Sequence, residues 1–374
     1  MALFRNNVRD PERVFRATQW QLIWWKFSAN KLAMLGLLFL GLAYLTVLVA
    51  EFAAPSDPRR RNAKRILAPP TRIRFTDEAG TFHLRPFIYP IIQERNPETL
   101  RRSFKEDRTH RVPLGLFVRG DRYTIWGMVS TDLHLFGTGD SDRPLLLLGA
   151  DRMGRDLFSR IIAGGRISLS IGLVGIALSV SLGILIGGVS GYYGGPLDTA
   201  IQRCIEIIIS IPRLPLWMGL SVALPPDWSV EKRYLGIVII LSLMAWPGLA
   251  RSVRGKFMAV KEEDFVMAAH LDGAGPLRII LKYLLPSFLS HIIAGVSLAI
   301  PAMILGETSL SFLGLGLQAP AISWGVLLKD TMSIRALAHA PWLLFPGLFI
   351  IFTVLSFNFV GDGLRDAADP YAQI

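Results

Sequence analysis

Five long stretches with hardly a charge constrain this chain more than anything else in it: residues 32–53, 169–189, 234–250, 292–305 and 343–360. A helix crossing a bilayer needs about 20 residues. In hydrocarbon every backbone N–H and C=O must be satisfied inside its own segment, so such runs fold as helices. The fourth run reaches that length once 287–291 is added. A sixth candidate, 200–224, carries Arg203, Glu206 and Arg213 together with Pro212 and Pro215; charges in such a segment face protein or water rather than lipid. A mean hydropathy of +0.41 is rare for a soluble domain and agrees with these spans. The expectation is an all-α membrane protein of about six transmembrane helices, with an extended, partly β insert between the first two.

The first run reads as a retained span at 32–53. A secretory apolar region is about 7 to 15 residues long, whereas here the stretch is longer and 31 residues precede it, among them Arg5, Arg9, Arg13, Arg16, Lys26 and Lys31. Those cations place residues 1–31 in the cytoplasm by the positive-inside rule. Six spans then bring the C-terminus back to the same side. The segment 251–286 also falls inside, and its Arg251, Arg254, Lys256, Lys261, Arg278 and Lys282 agree. Residues 11–31, with Trp20, Trp24, Trp25 and Phe27, read as an interfacial helix on lipid.

Residues 54–144 form an external insert too long for a plain connector. Two stretches in it have hairpin character: 71–76 and 81–85 around Asp77 to Gly80, and 115–119 and 123–126 around Gly120 and Asp121. Much of the net charge of +11 lies in and just beyond this insert, and with no RNA or DNA motif no nucleic-acid partner is expected. His83, His110 and His134 are too scattered for a metal site, and none is expected. The one cysteine, Cys204, falls in the third span, where it reads as a packed small residue that leaves the insert without a disulfide.

The most informative stretch runs from Lys261 to Pro286. Glu262, Glu263 and Asp264 suit the positive end of a helix dipole. Phe265, Ala268, Ala269 and Asp272 fall on one helical face. Gly273 can take the positive φ that ends a helix, and Pro276 stops its continuation. This reads as a short helix along the membrane whose small residues allow close approach.

The same stretch resembles the Glu-Ala-Ala loop of binding-protein-dependent ABC importer permeases. Ala268, Ala269, Gly273, Leu285 and Pro286 hold the family spacing, while Met267 stands where the family has Glu and Tyr283 where it has Ile. Other stretches are similar to the second-subunit type of dipeptide/oligopeptide permease. They are the run from Leu148 to Arg160, Ser190-Gly-Tyr-Tyr-Gly-Gly195, Leu310-Ser-Phe-Leu-Gly-Leu-Gly316, Ser323-Trp-Gly325, and Gly361 to Pro370. The likeness covers about residues 145–370, the permease core with spans two to six.

The resemblance implies a permease subunit that imports a solute across the bacterial inner membrane by alternating access. Short peptides lead as substrate class, with oligosaccharide or opine next. It implies a second permease subunit in a heterodimer, two ATPase subunits that bind ATP and Mg, and a periplasmic solute-binding protein. No cofactor and no catalytic residue is expected in this chain, which has no phosphate loop. Glu262, Glu263, Asp264, Phe265, Met267, Ala268, Ala269, Asp272 and Gly273 are the expected ATPase-coupling residues. Glu307, Ser309 and Phe312 are candidates for the pathway or outer gate, with bracing of the Gly314/Gly316 turn the alternative for Glu307. Asp151, Arg152, Gly154, Arg155, Asp156 and Arg160 form the external signature, either a solvated charge run or an ordered element at the outer mouth. A secondary transporter driven by an ion gradient is the other class, but it would call for acidic or histidine relays at mid-membrane. An enzyme is the remaining alternative, and the insert holds no nucleophile and base in a recognisable pattern.

Overall fold

In a computed structural model the chain forms two compact units, residues 1–41, 171–310 and 351–374 in the first and 42–170 and 311–350 in the second. The described residues are 16–95 and 102–368. Arg5, Arg9, Arg13, the start of the expected 11–31 helix, Asp369 and Pro370 lie outside them.

Helix α1, Gln19–Ala29, is shorter than the sequence suggests and starts at a capping box, in which the Thr18 hydroxyl accepts from the Gln21 N–H and the Gln21 side chain accepts from the Thr18 N–H. Trp20 and Trp24 stand exposed on it, while Phe27 is buried. Asn30 breaks the helix and its side chain caps α2, Lys31–Leu48. The expected span to residue 53 is interrupted at Val49, and Ala50–Ala53 forms a separate turn.

Helix α3, Leu157–Tyr193, has 37 residues, longer than the run that announced it. The expected third span is two pieces, α4 Gly195–Ser210 and α5 Arg213–Val222, bent by 86°. Pro212 is the cause: a residue before proline is pushed out of helical geometry, and Ile211 is extended at φ −84°, ψ 128°. Then come α6 Val230–Val260, α7 Asp264–Leu271, α8 Leu289–Phe312 and α9 Phe345–Ala368. Among the described residues five helices are long and apolar enough to cross a membrane, or six spans if the bent pair counts as one.

In the first unit α3 and α6 approach closely along a stripe of small residues. A side chain at Gly187 would sit 2.3 Å from the Ala250 carbonyl oxygen, and one at Gly191 2.8 Å from that of Arg254. Such stripes let helix backbones pack without a hydrophobic drive from water. The Ser179 hydroxyl donates to the Ser242 carbonyl (3.1 Å), and the Ser242 hydroxyl to that of Gly175 (2.9 Å).

In the second unit the insert is β-structured, as expected, in three small antiparallel sheets. One holds β1 Arg74–Thr76, β2 Phe82–Ile88 and β5 Val112–Pro113; another β3 Ile91–Arg95 and β4 Arg102–Glu106; the last β6 Gly115–Ile125 and β7 Val129–Gly137. The first expected hairpin is β1–β2, with its turn at Asp77 to Gly80. The second lies elsewhere than the sequence suggests. Gly120 and Asp121 are no turn but an irregularity inside β6, and the chain reverses at Trp126 and Gly127, both left-handed (φ 50° and 74°). A turn with two left-handed central residues matches the twist of a hairpin. Gly120 leaves room for buried His134, whose ring nitrogens lie 2.6 Å from the Ala54 carbonyl oxygen and 2.9 Å from that of Asp121. His83 pairs with Asp77 and His110 with Asp107.

Candidate functional site

Helix α7 follows α6 after a three-residue break and spans Asp264–Leu271, between the expected acidic start at Glu262 and the expected end at Gly273. Asp264 occupies its first turn, and Glu263 is the N-cap residue without a capping side-chain bond. Gly273 has φ +75°, and no atom lies within 4 Å of where its Cβ would be. The requirement for glycine there is therefore one of backbone conformation, as in a left-handed helix end.

The face of α7 differs from the expectation in one respect. Val266 and Ala269 are buried, at 0% and 2% exposure, in a cluster with Val253, Phe257, Ile279, Leu284, Phe288 and Ile292. Ala269 is thus an inward residue of this chain's own core rather than part of an outward face with Phe265 and Ala268. The outward residues are Phe265, Met267, Ala268, Leu271 and Asp272, and Glu262 and Glu263 are exposed beside them. Leu271, 90% exposed, does not stand out in the sequence, and Leu277 and Leu281 extend the apolar surface beyond Gly273. Helix α7 thus carries one buried apolar face and one exposed face rich in apolar side chains.

Beyond α7 the chain does not run straight into the next span. Residues Pro276–Ile279 are α-helical, Ile280–Leu284 form a π-turn, and Phe288 departs from helical geometry before α8 begins. The ring of Tyr192, at the end of α3, stacks on His270 of α7 with centroids 6.2 Å apart, and Phe257 meets Phe288 edge-on at 5.5 Å.

Close to this cluster in the chain lies a polar group that sequence reasoning missed. Asp198, in the first turn of α4, takes both Arg254 Nε and Nη2 in a bidentate pair and accepts from the Ser190 hydroxyl, while Gln202 Nε2 donates to Ser190 Oγ at 3.1 Å. It joins α3, α4 and α6. The signal was Asp198 on the flank of an apolar run and Arg254 among several cations of 251–261, but which cation the Asp meets depends on tertiary packing.

The external signature is an ordered element, not a solvated run. Fully buried Asp151 accepts from the backbone N–H groups of Met153 and Arg155 and pairs with Arg155 (2.7 Å) and Arg160 (3.2 Å). Gly154 (φ +70°) packs so tightly that a Cβ would fall 1.9 Å from the Asn62 carbonyl oxygen. Asp156 caps α3 by accepting from the Ser159 N–H at 2.9 Å and from its hydroxyl. Burial pushes the Asp156 carboxyl up to about 6 despite those bonds, and burial also raises Asp330. Arg152 remains exposed.

The candidate gate residues are not alike. Glu307 is completely buried, so within this chain it does not line an open surface; Ser309 and Phe312 are half-buried, and the Ser309 hydroxyl bonds back to the Leu305 carbonyl. Cys204 is exposed rather than packed, beside Leu185, Ile186, Ala200, Ile201 and Trp246 along an apolar depression of about 490 Å³.

Residues 182–372 match the family of binding-protein-dependent transport system inner membrane components. Residues 18–70 match the N-terminal transmembrane domain of oligopeptide transport permease C. The dipeptide transport system permease protein of Bacillus subtilis is 40% identical over 222 residues, 59% of this chain and 68% of that protein. The oligopeptide transport system permease protein of Haemophilus influenzae is 41% identical over 241 residues, 64% of this chain and 75% of that one. An inward-facing structure of the MetNI methionine ABC transporter is similar at a TM-score of 0.44 and 17% identity, over 56% of this chain and 97% of that one.

Proposed function

Since this chain belongs to the family of binding-protein-dependent transport system inner membrane components, and is a membrane-spanning permease subunit, we propose that it works as one half of an ATP-driven importer of short peptides, coupled to its ATPases through α7. The peptide reading draws on relatives named as dipeptide and oligopeptide permeases; oligosaccharides and opines follow it. ATP and Mg belong on two separate ATPase chains, and the pathway is completed by a second permease subunit fed by a periplasmic binding protein. The site of action is the bacterial inner membrane. The cations Arg16, Lys26 and Lys31, and those of 251–286, support a cytoplasmic N-terminus and a cytoplasmic α7, which leaves the insert periplasmic. The ion-gradient alternative finds no support in the family.

The observation that carries the proposal is the two-faced placement of α7. Val266 and Ala269 fix the helix to the ends of α6 and α8 through a packed apolar cluster, and Phe265, Met267, Ala268 and Leu271 face outward. Packed interiors transmit displacement because they are dense. A push on the outward face therefore reaches two membrane helices together, which is what alternating access needs from a coupling element.

The test is co-purification of the ATPase chains together with uptake. Leu271→Asp and Phe265→Asp, both at exposed positions, should leave the chain inserted and paired with the second permease, yet lose the ATPases and transport. Met267→Glu should be tolerated, since it restores the family residue at an exposed position. ATPases held at the unmodified level by both aspartate variants would remove α7 from this role.

A further inference from the structure

The β6–β7 hairpin ends in three conspicuous side chains: Trp126 is 54% exposed, Met128 81% and Val129 60%. Most exposed hairpin tips are polar, because turns meet water. The tip is also fastened at a definite level. Helix α2 breaks after Leu48, and a helix end leaves its last carbonyls without intrahelical partners. Here Trp126 Nε1 donates to the Leu48 carbonyl at 3.0 Å, and Arg166 donates through Nε to Val47 (3.0 Å) and through Nη2 to Leu48 (3.2 Å). The same guanidinium pairs with Glu51 and lies 4.4 Å over the Trp126 ring. Phe52 and Phe117, at 6.2 Å, add an aromatic contact between the turn after α2 and β6.

These bonds fix the tip at the Leu48 end of α2. An ion pair and helix-end carbonyls that need partners outside their own helix are costly in lipid and are found at its edge. An indole with its N–H on a polar partner and its ring half free belongs to that same layer. Next to it Leu45 and Leu48 of α2 are more than half exposed, an apolar surface that suits lipid. We infer that the β6–β7 tip is a membrane-contact element: Trp126, Met128 and Val129 enter the interfacial layer of the bilayer at the Leu48 end of α2 and continue the lipid-facing surface of that helix. Arg166 is its positioning residue, since it holds α2, the turn after it and the indole at one point. The insert is thereby held against the lipid surface through its own side chains as well as through its chain connections.

The experiment uses the full-length chain, purified with its partner subunits and reconstituted in phosphatidylcholine–phosphatidylglycerol vesicles. Cys204→Ser removes the one native cysteine, and Met128→Cys introduces a site for an environment-sensitive fluorophore; Ala79→Cys, in the exposed β1–β2 turn, is the control. The label at 128 should show a blue-shifted emission, loss of quenching by aqueous iodide, and quenching by lipids carrying a nitroxide near the headgroup. The label at 79 should show none of these. Emission and iodide quenching at 128 equal to those at 79 would overturn the inference. So would a blue shift without lipid-nitroxide quenching, with a cross-linker at 128 capturing the second permease subunit, because the tip would then be covered by protein.

Discussion

The segment between α6 and α8 and the segment between α2 and α3 both interrupt the series of membrane helices, and they are held by opposite kinds of chemistry. The first, 261–288, is organised by apolar packing: Val253, Phe257, Val266, Ala269, Ile279 and Leu284 close on one another, and the cluster that fixes α7 is made of apolar side chains. Among its described residues the second, the insert, has small apolar clusters, such as Ile88, Val112, Leu114 and Leu145. It depends on directional bonds: Arg74 to Glu106, Arg60 to Asp121, Arg166 to Glu51. Packing of the first kind is stiff in every direction and suits a part that must pass on a displacement. Bonds of the second kind fix orientation at a few points. The contrast teaches that two interruptions of one helix series can be held in different ways, one by packing that passes on displacement and the other by bonds that fix orientation.

The largest effect should come where a polar bracket stands beside the packed cluster. Arg254→Ala leaves Asp198 buried and without its cation, a loss of about 3 kcal/mol when a buried pair is broken on one side. Thermal unfolding in detergent should fall by several degrees. The double change Arg254→Met with Asp198→Leu should recover most of it, because it removes both charges. If the single variant unfolds like the unmodified chain, polar brackets matter as little in the first unit as surface pairs do elsewhere.

Next in size are substitutions that separate packing from docking within α7. Ala269→Trp should destabilise the chain itself by about 2 kcal/mol or more, since it overfills a packed site. Ala268→Trp, on the exposed side, should leave unfolding unchanged and act only on ATPase retention. Gly273→Val should cost about 1 to 2 kcal/mol through its left-handed backbone, and Gly273→Ala less, because a β-branched residue tolerates positive φ least. Equal unfolding temperatures for the two tryptophan variants would mean that α7 is not anchored as its burial implies.

How much of this is legible in the sequence depends on whether the signal is local. The apolar runs announce five helices directly, and Gly273 announces its positive φ, because both are properties of a few consecutive residues. Ala269 is misassigned from sequence because a face of a short helix reads equally well as inward or outward until Phe257 and Leu284 are known to lie against it. The third span reads as continuous although Pro212 is visible; a proline can kink a helix or end it, and its sequence does not say which. The turn at Trp126 is hidden behind Gly120 and Asp121, the stronger local turn signal. What decides otherwise is the buried ring of His134, which needs the space at Gly120 and is 14 residues further along. Asp198 with Arg254, and Arg166 with the end of α2, are illegible for the same reason: each partner is distant in the chain.

The smallest effect belongs to the second unit and tests whether its directional bonds carry a cost of their own. Asp156 caps α3 with two bonds to Ser159, yet it is buried, and its carboxyl is raised from an ordinary 3.8 to about 6. Desolvation of the charged form is the leading cause, and the hydrogen bonds from Ser159 only partly offset it. Between these two values the folded chain holds a proton that the unfolded chain has lost. Stability from this group is therefore fully present below about pH 4 and is lost as pH rises through about 6. From pH 5 to pH 7 the folded chain binds on average about half a proton more than the unfolded one, a loss of about 1 kcal/mol over that window. Unfolding temperature in detergent should thus rise slightly as the buffer is taken from pH 7 to pH 5. Asp156→Asn keeps an oxygen to accept the Ser159 N–H and cannot ionise, so it should flatten that part of the profile and sit at or above the unmodified chain at pH 7. If the asparagine variant shows the same slope as the unmodified chain, the cap is not the titrating group. The charge would then be tolerated there, and the bonds around Ser159 would outweigh burial.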